Sequence, residues 1–241
     1  MDDDSPNEVP PRVAASSVSD IGPRRQELRR VADATRALIE GLVGTDLNDA
    51  AITATADALE RLAEQFLGDG PRSMYDGIAE AAMAGDDSFA LLDHSPLIGG
   101  ANPLAPPIVM SVEGDAVVGK VCFGAAYEGP PGCVHGGYIA AAFDEVLGSA
   151  QSLGGSPGMT GTLSIRYQSP TPLHADLRFV GRFDRKEGRK VFTTGQLFAG
   201  DTITATAEGL FISIDPERFR QLNEDREARL NPAALFHPGR G

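Results

Sequence analysis

The residues with the clearest chemical potential are a histidine and two glycines at the start of a helical run. His135, Gly136 and Gly137 precede a stretch that is apolar on nearly all sides as far as Leu147. Glycine is unfavourable inside a helix, but in the first turn it leaves backbone N–H groups open to a ligand. The positive end of the helix dipole points to the same place. These amides could stabilise an oxygen that gains charge, or the glycines could simply permit a sharp turn.

Two adjacent carboxylates interrupt the apolar surface of this helix. Asp144 lies nine residues after His135, and Glu145 follows it. A helix that is apolar all round is buried, and a buried carboxylate is costly unless something uses or satisfies it. Neighbouring helical side chains diverge by about 100°. We therefore expect one acid to face a site and the other to face a helix edge, a partner subunit or solvent.

The elements that must position this helix are strands. Six runs rich in β-branched or aromatic residues are separated by Gly and Pro turn signals, and the order is strand, strand, helix and four strands. This order favours an antiparallel α+β sheet over a parallel doubly wound one. We expect the sheet to wrap around the buried helix at 135–150. The predicted strands are Ile108–Val112, Ala116–Phe123, Thr160–Tyr167, Leu173–Asp184, Lys190–Ala199 and Ile203–Ile214.

The N-terminal part of the chain has a helical pattern instead. Apolar residues recur at intervals of three and four from Arg24 onwards and again over 52–66, which predicts two amphipathic helices. The break lies at 44–46, and either Asp46 or Asn48 could cap the second helix. We expect an antiparallel helical hairpin.

These patterns divide the chain into five segments. We expect a disordered acidic tail, a helical hairpin, a Gly- and Pro-rich connector, a sheet-and-helix domain and a C-terminal segment with a short helix at 217–230. The corresponding boundaries are 1–23, 24–68, 69–107, 108–215 and 216–241.

Composition excludes several classes of function. The 241 residues carry 21 Lys and Arg against 34 Asp and Glu, a net charge of −13, which argues against a nucleic-acid or anionic-membrane binder. Two cysteines, Cys122 and Cys133, are too few for a disulfide framework or a four-cysteine zinc site, and we expect Cys122 in the core. The spacing of the histidines along the chain is not that of metal ligands.

No apolar run reaches the roughly 18 residues of a membrane span. The acidic start of the chain differs from a signal peptide, so we expect a cytoplasmic protein.

The motifs around the central helix resemble a known family. They are His-Gly-Gly-Tyr-Ile-Ala-Ala-Ala-Phe-Asp-Glu at 135–145 and Met-Thr-Gly-Thr-Leu-Ser-Ile-Arg-Tyr-Gln-Ser-Pro-Thr-Pro-Leu at 159–173, with further likeness at 187–190 and 207–212. They resemble the hotdog-fold acyl-CoA thioesterases of the PaaI type, in the branch of the THEM4/THEM5-like enzymes. The resemblance covers roughly 108–215 and leaves out the helical hairpin.

The resemblance implies a fold, an activity and partners. The fold is a curved antiparallel sheet around a central helix, and the assembly is a homodimer or a dimer of dimers with active sites shared between subunits. The activity is hydrolysis of acyl-CoA to a free carboxylic acid and CoA, a reaction in lipid metabolism. No metal or redox cofactor is needed, and the acyl chain would lie between helix and sheet at the dimer interface.

The resemblance also assigns roles to residues. Asp144 would be the general base or nucleophile, and the N–H of Gly136, with Gly137 beside it, would polarise the thioester carbonyl. Thr160, from the partner chain, would help to place the water, and His135 would orient the carbonyl or the loop. Many PaaI-type enzymes carry Asn six residues before the histidine, where this chain has Gly129; the THEM4-like branch also lacks it.

Helix geometry supports a shared site. With a rise of about 1.5 Å per residue, Asp144 lies about 13 Å along the helix from His135. One helix therefore cannot bring Asp144 to the carbonyl held by its own first amides. A dimer, in which Asp144 faces the amides of the second chain, removes this difficulty.

A basic turn is the candidate site for the CoA phosphates. Arg189 and Lys190 belong to the densest basic cluster of an acidic chain, at 186–190. The resemblance places basic groups in this region near the phosphates, and charge-assisted hydrogen bonds would hold them. The alternative is ordinary charge on a hairpin turn.

Other functions remain open from the sequence. Asp144 could be a structural acid satisfied by backbone amides, and Thr160 could be only a β-former. A Cys133–His135 nucleophile is disfavoured because no orienting acid is near in sequence. An acyl-CoA hydratase of the same fold would need a different motif. A non-catalytic acyl-CoA sensor is the alternative from another class, with the helical hairpin as its regulatory part.

Overall fold

A computed structural model describes residues 22–66, 92–155 and 158–213, together with residues 221 and 225. Most of the expected N-terminal tail, the first part of the connector and most of the predicted helix at 217–230 lie outside the described residues. The segment boundaries drawn from the sequence remain predictions.

Six antiparallel strands form one sheet: β1 (Val109–Glu113), β2 (Ala116–Val121), β3 (Gly158–Tyr167), β4 (Leu177–Glu187), β5 (Lys190–Ala199) and β6 (Thr202–Ser213). Their order in the sheet is β1-β2-β4-β5-β6-β3. The β1–β2, β4–β5 and β5–β6 hairpins turn through Gly114, Gly188 and Gly200, whose φ angles of 63°, 60° and 57° lie in the left-handed region that glycine adopts without steric cost.

The start of β4 differs from the prediction. The sequence predicted a strand from Leu173, but β4 begins at Leu177. The N–H of Leu173 donates to the carbonyl of Gly132, and the N–H of His174 donates to the carbonyl of Phe123. These backbone bonds hold the segment against the loop before the central helix, so it cannot pair with β2 or β5.

Helix α3 (Gly136–Ala150) lies against one face of this sheet and forms the centre of the core. Gly181 and Gly195 stand on β4 and β5 beneath it, and an added Cβ at these positions would lie 2.9 Å from Val146 Cγ1 and 3.0 Å from Phe143 Cε1. Small residues on the sheet thus allow a close approach of the helix. The fully buried core side chains include Phe123, Phe143, Val146, Leu147, Phe179 and Leu197.

The N-terminal segment forms the predicted pair of helices. Helix α1 spans Pro23–Val43 and helix α2 spans Asp49–Glu64. Asn48 caps α2, because its side-chain oxygen accepts from the N–H of Ala51 at 3.0 Å. No residue of α2 is buried, and α1 buries only Ala32.

Polar contacts attach α1 to the rest of the protein. Arg25 Nε donates to Asp93 Oδ2 at 2.8 Å, Arg29 Nη2 donates to Asp93 Oδ1 at 2.5 Å, and Arg36 donates to the carbonyl of Gly100 at 2.9 Å. The Asp93 side chain is only 6% exposed. Burial alone would raise the pKa of Asp93, but the hydrogen bonds and charges of Arg29 and Arg25 outweigh it and lower that pKa.

Replacing Asp93 by Asn should destabilise the protein in a pH-dependent way. A carboxyl whose pKa is lowered by folding stabilises the native state above its unfolded pKa of about 3.9, and that contribution is lost as the pH falls through the folded value. We expect Asp93→Asn to lower the free energy of unfolding by about 2 kcal/mol at pH 7, and the deficit to shrink below about pH 4.

Urea unfolding followed by circular dichroism at several pH values measures this difference. The matched control is Asp33→Asn, because Asp33 is 69% exposed and pairs with Arg36 at the surface; it should unfold like the wild type. A deficit that stays constant down to pH 3 would contradict the assignment.

Candidate active site

The start of α3 is organised by His135. Its backbone is extended, and its Nδ1 accepts a hydrogen bond from the N–H of Gly137 at 3.0 Å, so the ring caps the helix. An accepting Nδ1 leaves the proton of a neutral imidazole on Nε2. The amide of Gly137, predicted to face a ligand, is therefore already used. Within the described part of the chain, the N–H of Gly136 has no hydrogen-bond acceptor, so it is the open donor.

Tyr167 holds Gly136 from the other side. The hydroxyl of this last residue of β3 donates to the carbonyl of Gly136 at 2.8 Å. A Cβ at position 136 would lie 3.3 Å from the same hydroxyl, so the glycine makes room for the contact. Sequence reasoning included Tyr167 only as part of a motif and missed this role, because the contact joins residues 31 positions apart.

A short 3₁₀ turn, Ala125–Tyr127, supports the residue that precedes the helix. The carbonyl of Tyr127 accepts from the N–H of His135 at 2.9 Å, and its ring packs edge-to-face on Tyr138 with centroids 4.8 Å apart. Burial raises the pKa of Tyr127, which keeps its phenol protonated at neutral pH. That hydroxyl donates to the carbonyl of Leu104 at 3.1 Å.

The carboxylate of Asp144 and the hydroxyl of Thr160 form the second part of the candidate site. Asp144 is half-buried, and its Oδ1 accepts from the hydroxyl of Thr160 at 2.7 Å. The β3–β6 register shifts between Thr160 and Thr162, and bulges of this kind re-aim side chains beside active sites. Thr160 is paired with buried Phe211, so both face α3.

The hydroxyl of Thr160 is already engaged within one chain, where it donates to Asp144. The role that the resemblance gives to Thr160 of the partner chain, helping to place the water, remains a prediction. Thr160 follows Asp144 by sixteen positions, and the antiparallel pairing of β3 with β6 brings this hydroxyl back beside the helix. The contact also shows that Asp144 faces this site; Glu145 next to it is half-buried.

The two parts of the site lie at different places along one helix. Gly136 is the first residue of α3 and Asp144 the ninth, which corresponds to about 12 Å along the axis. A single carbonyl group cannot contact both within one chain. Each chain therefore presents an open amide at one place and a hydrogen-bonded carboxylate at another.

The basic turn is not brought together with Asp144 in one chain. Arg189 is exposed, and its Nε and Nη2 donate to the carbonyl of Ser213, both at 3.3 Å. Lys190 lies two strands from the start of β3, a distance of about 10 Å. Because the next residue, Val191, is buried towards α3, Lys190 faces the opposite side of the sheet.

The cysteines do not form a catalytic arrangement. The thiol of Cys133 contacts the carbonyl of Pro131 at 3.5 Å. Cys122 is exposed, so the expectation of a core position is wrong; it alternates with Val121 and Phe123, which are buried. Among residues 22–66, 92–155 and 158–213, no cluster of three or more His, Cys, Asp or Glu could hold a metal, and no helix is long and apolar enough to cross a membrane.

A mostly apolar groove lies beside the start of α3. Its volume is about 350 Å³, and it runs between α1, the segment 103–107 and the 3₁₀ turn. Within one chain, the space between α3 and the sheet is filled by fully buried side chains such as Phe143 and Leu147. The acyl chain was expected between helix and sheet at the dimer interface, a position that only a second chain completes. Residues lining the groove include Ala37, Ile39, Leu104, Pro106, Tyr127 and Tyr138.

Comparison with known proteins assigns the family. The thioesterase superfamily model matches residues 131–206. A crystal structure of a thioesterase superfamily protein superposes with a TM-score of 0.65 and 34% identity, covering 77% of this chain and 94% of that one. The chain belongs to the thioesterase superfamily. The hotdog fold expected from the sequence is thereby confirmed, and the family match contains the helix start, Asp144, Thr160 and Tyr167.

This thioesterase superfamily member is also similar to curated relatives over part of their length. It is 38% identical over 93 residues to acyl-coenzyme A thioesterase THEM4 of Bos taurus, covering 38% of each chain. It is 30% identical over 96 residues to acyl-coenzyme A thioesterase THEM5 of Homo sapiens, covering 39% of each. The matched region thus spans about two-fifths of these relatives.

Proposed function

We propose that the protein is an acyl-CoA thioesterase that hydrolyses acyl-CoA to a free carboxylic acid and CoA. The observation that carries the proposal is the hydrogen-bonded pair of Asp144 and Thr160 on a helix whose first residue, Gly136, presents an open amide. Thioester hydrolysis needs a group that directs water at the carbonyl carbon or attacks it, and a donor for the oxyanion. The names of the similar curated proteins point to the same reaction.

Asp144 has one carboxylate oxygen available for this role. Its Oδ1 accepts from Thr160, while Oδ2 accepts no hydrogen bond within the described residues. Oδ2 can therefore take a proton from water or attack the carbonyl carbon directly. The hydroxyl of Thr160 fixes the orientation of the carboxylate and lies close enough to assist in placing the water.

The oxyanion donor in this proposal is the N–H of Gly136. A backbone amide at a helix N-terminus is preorganised and is reinforced by the helix dipole. His135 caps the helix through Gly137 and so orients this donor, and its Nε2–H points away from the cap as a second donor for the substrate.

The complete site requires two chains. Strand β3 is an edge of the sheet and carries Thr160, and an edge strand presents unpaired N–H and C=O groups to another chain. Pairing of β3 with β3 of a second copy gives a two-fold homodimer. In that dimer Asp144 of one chain faces Gly136 of the other, and two such dimers could associate further.

Substrate binding uses two further regions in this proposal. The exposed side chains of Arg189 and Lys190 contact the CoA phosphates, since they form a basic turn in a chain of net charge −13. The acyl chain occupies the groove of about 350 Å³, which is within the usual range of about 300–1,000 Å³ for ligand pockets. This groove reaches Tyr138, three residues after His135.

Replacing Asp144 by Ala should remove thioester hydrolysis. We expect thiol release to fall by at least about 100-fold, because the base or nucleophile is lost, while the circular dichroism spectrum stays unchanged. A panel of acyl-CoAs of different chain length measures thiol release, with Asp201→Asn as control because Asp201 is exposed in the β5–β6 turn. Wild-type turnover in Asp144→Ala would refute the mechanism. Acyl-CoA binding without thiol release by the wild type would favour the sensor.

A mixed dimer of two inactive chains should regain activity if the site is shared. Gly136→Pro removes the donor N–H at a helix position that tolerates proline, and its ring also crowds the hydroxyl of Tyr167. Alone it should cost about 100- to 1,000-fold in kcat. A dimer of one Asp144→Ala chain and one Gly136→Pro chain has one complete site. Purified by two different tags, it should show about half of the wild-type activity. An inactive mixed dimer would contradict the shared site.

Filling the groove should discriminate against long acyl chains. Ala37→Trp places a large ring at the groove wall and should lower kcat/KM for long-chain acyl-CoAs by about 10-fold, with little effect on acetyl-CoA. Ala54→Trp on exposed α2 is the matched control, because Ala54 does not line the groove. Equal effects of Ala37→Trp on short and long substrates would place the acyl chain elsewhere.

A further inference from the structure

Glu40 of α1 reaches into the turn that precedes the central helix. Its Oε1 accepts from the N–H of Ala125 at 2.8 Å, and its Oε2 accepts from the N–H of Ala126 at 3.3 Å. These are the first two amides of the 3₁₀ turn Ala125–Tyr127. The carboxylate thus satisfies two successive donors that have no partner within so short a helix.

Gly124 makes room for this carboxylate. All three atoms nearest to an added Cβ at this position belong to the Glu40 carboxyl group, and they lie too close for a real Cβ. The backbone of Gly124, with φ −88° and ψ −170°, is one that any residue can adopt. Space for Glu40, and not backbone conformation, is therefore what requires a glycine here.

The turn held by Glu40 leads directly to the open amide. The carbonyl of Tyr127 accepts from the N–H of His135 at 2.9 Å, and Glu128 and Val134 form an antiparallel bridge that closes the intervening loop. His135 in turn caps the helix whose first residue is Gly136. A shift of the turn would therefore be transmitted through two hydrogen bonds to the oxyanion donor.

We propose that Glu40 is a positioning residue for the reaction: α1 holds the turn at 125–127 and, through it, the N–H of Gly136. The predicted effect of Glu40 on kcat rests on the proposed thioesterase function. Glu40 and Gly124 also line the groove proposed for the acyl chain. We therefore measure kcat with acetyl-CoA, whose acyl group is too short to fill that groove, so that Glu40 acts on this reaction through the turn. Its role is separate from the attachment of α1, which Arg25 and Arg29 provide through Asp93 near the other end of the helix.

Two variants remove the same contact from opposite sides. Glu40→Gln keeps the size of the side chain but presents an NH2 group to one of the two amides, and Gly124→Ala displaces the carboxylate. In each we expect kcat to fall by about 10-fold or more, with KM within about two-fold of wild type. The double variant should lose no more than the worse single variant, because both changes remove one interaction.

Asp93→Asn is the matched structural control. It weakens the attachment of α1 without touching the turn, so kcat should stay at the wild-type value although stability falls. Unchanged kcat in both Glu40→Gln and Gly124→Ala would overturn the inference, and so would additive losses in the double variant. The same loss of kcat in Asp93→Asn would overturn it as well, because attachment alone would then explain the effect.

Amide hydrogen exchange tests the positioning without any substrate. Peptides covering 124–137 should exchange faster in Glu40→Gln and Gly124→Ala than in the wild type, and at the wild-type rate in Asp93→Asn. A wild type that releases no thiol, with this pattern intact, would refute the proposed function and leave the positioning standing. Wild-type exchange in both variants would refute the positioning itself.

Discussion

The burial of α3 against the sheet is the constraint on which the rest of the structure depends. The face that supplies Phe143, Val146 and Leu147 to the core also fixes the position of the whole helix. The groups on its other faces therefore cannot move relative to one another. Gly136 and Asp144 are held about 12 Å apart by the same apolar contacts that stabilise the fold. Packing in this protein therefore sets the spacing of the two groups proposed to act in the reaction.

Each of these two groups is held by a contact from outside the helix. Tyr167, at the end of β3, holds the carbonyl of Gly136, and Thr160, near its start, holds the carboxylate of Asp144. One edge strand therefore positions both parts of the site. The same strand is the edge that pairs with a second chain in the proposed dimer, so in that dimer assembly and the orientation of the two groups would involve one element.

Local patterns allowed much of this to be predicted, and long-range contacts explain what was missed. Alternation and helical periodicity predicted the strands and α3, and the Gly136-Gly137 pair with Asp144 indicated a candidate site, because each depends on neighbours in sequence. The contacts of Tyr167 with Gly136 and of Thr160 with Asp144 could not be predicted, because tertiary packing brings these side chains to the helix. The start of β4 was missed for the same reason, since backbone bonds to a distant loop displace Leu173 from the sheet.

The space at Gly124 has a consequence for protein engineering. A chain cut down to residues 108–213 would keep the sheet and α3, yet it would expose the two peptide N–H groups of Ala125 and Ala126 that Glu40 satisfies. Water would then accept from these groups, and a minimal version of the domain would need a new protein acceptor only to restore the lost restraint on the turn. An acidic side chain grafted at position 124 itself would occupy the vacated volume and offer one, which makes this glycine the natural position at which to compensate for a missing helix.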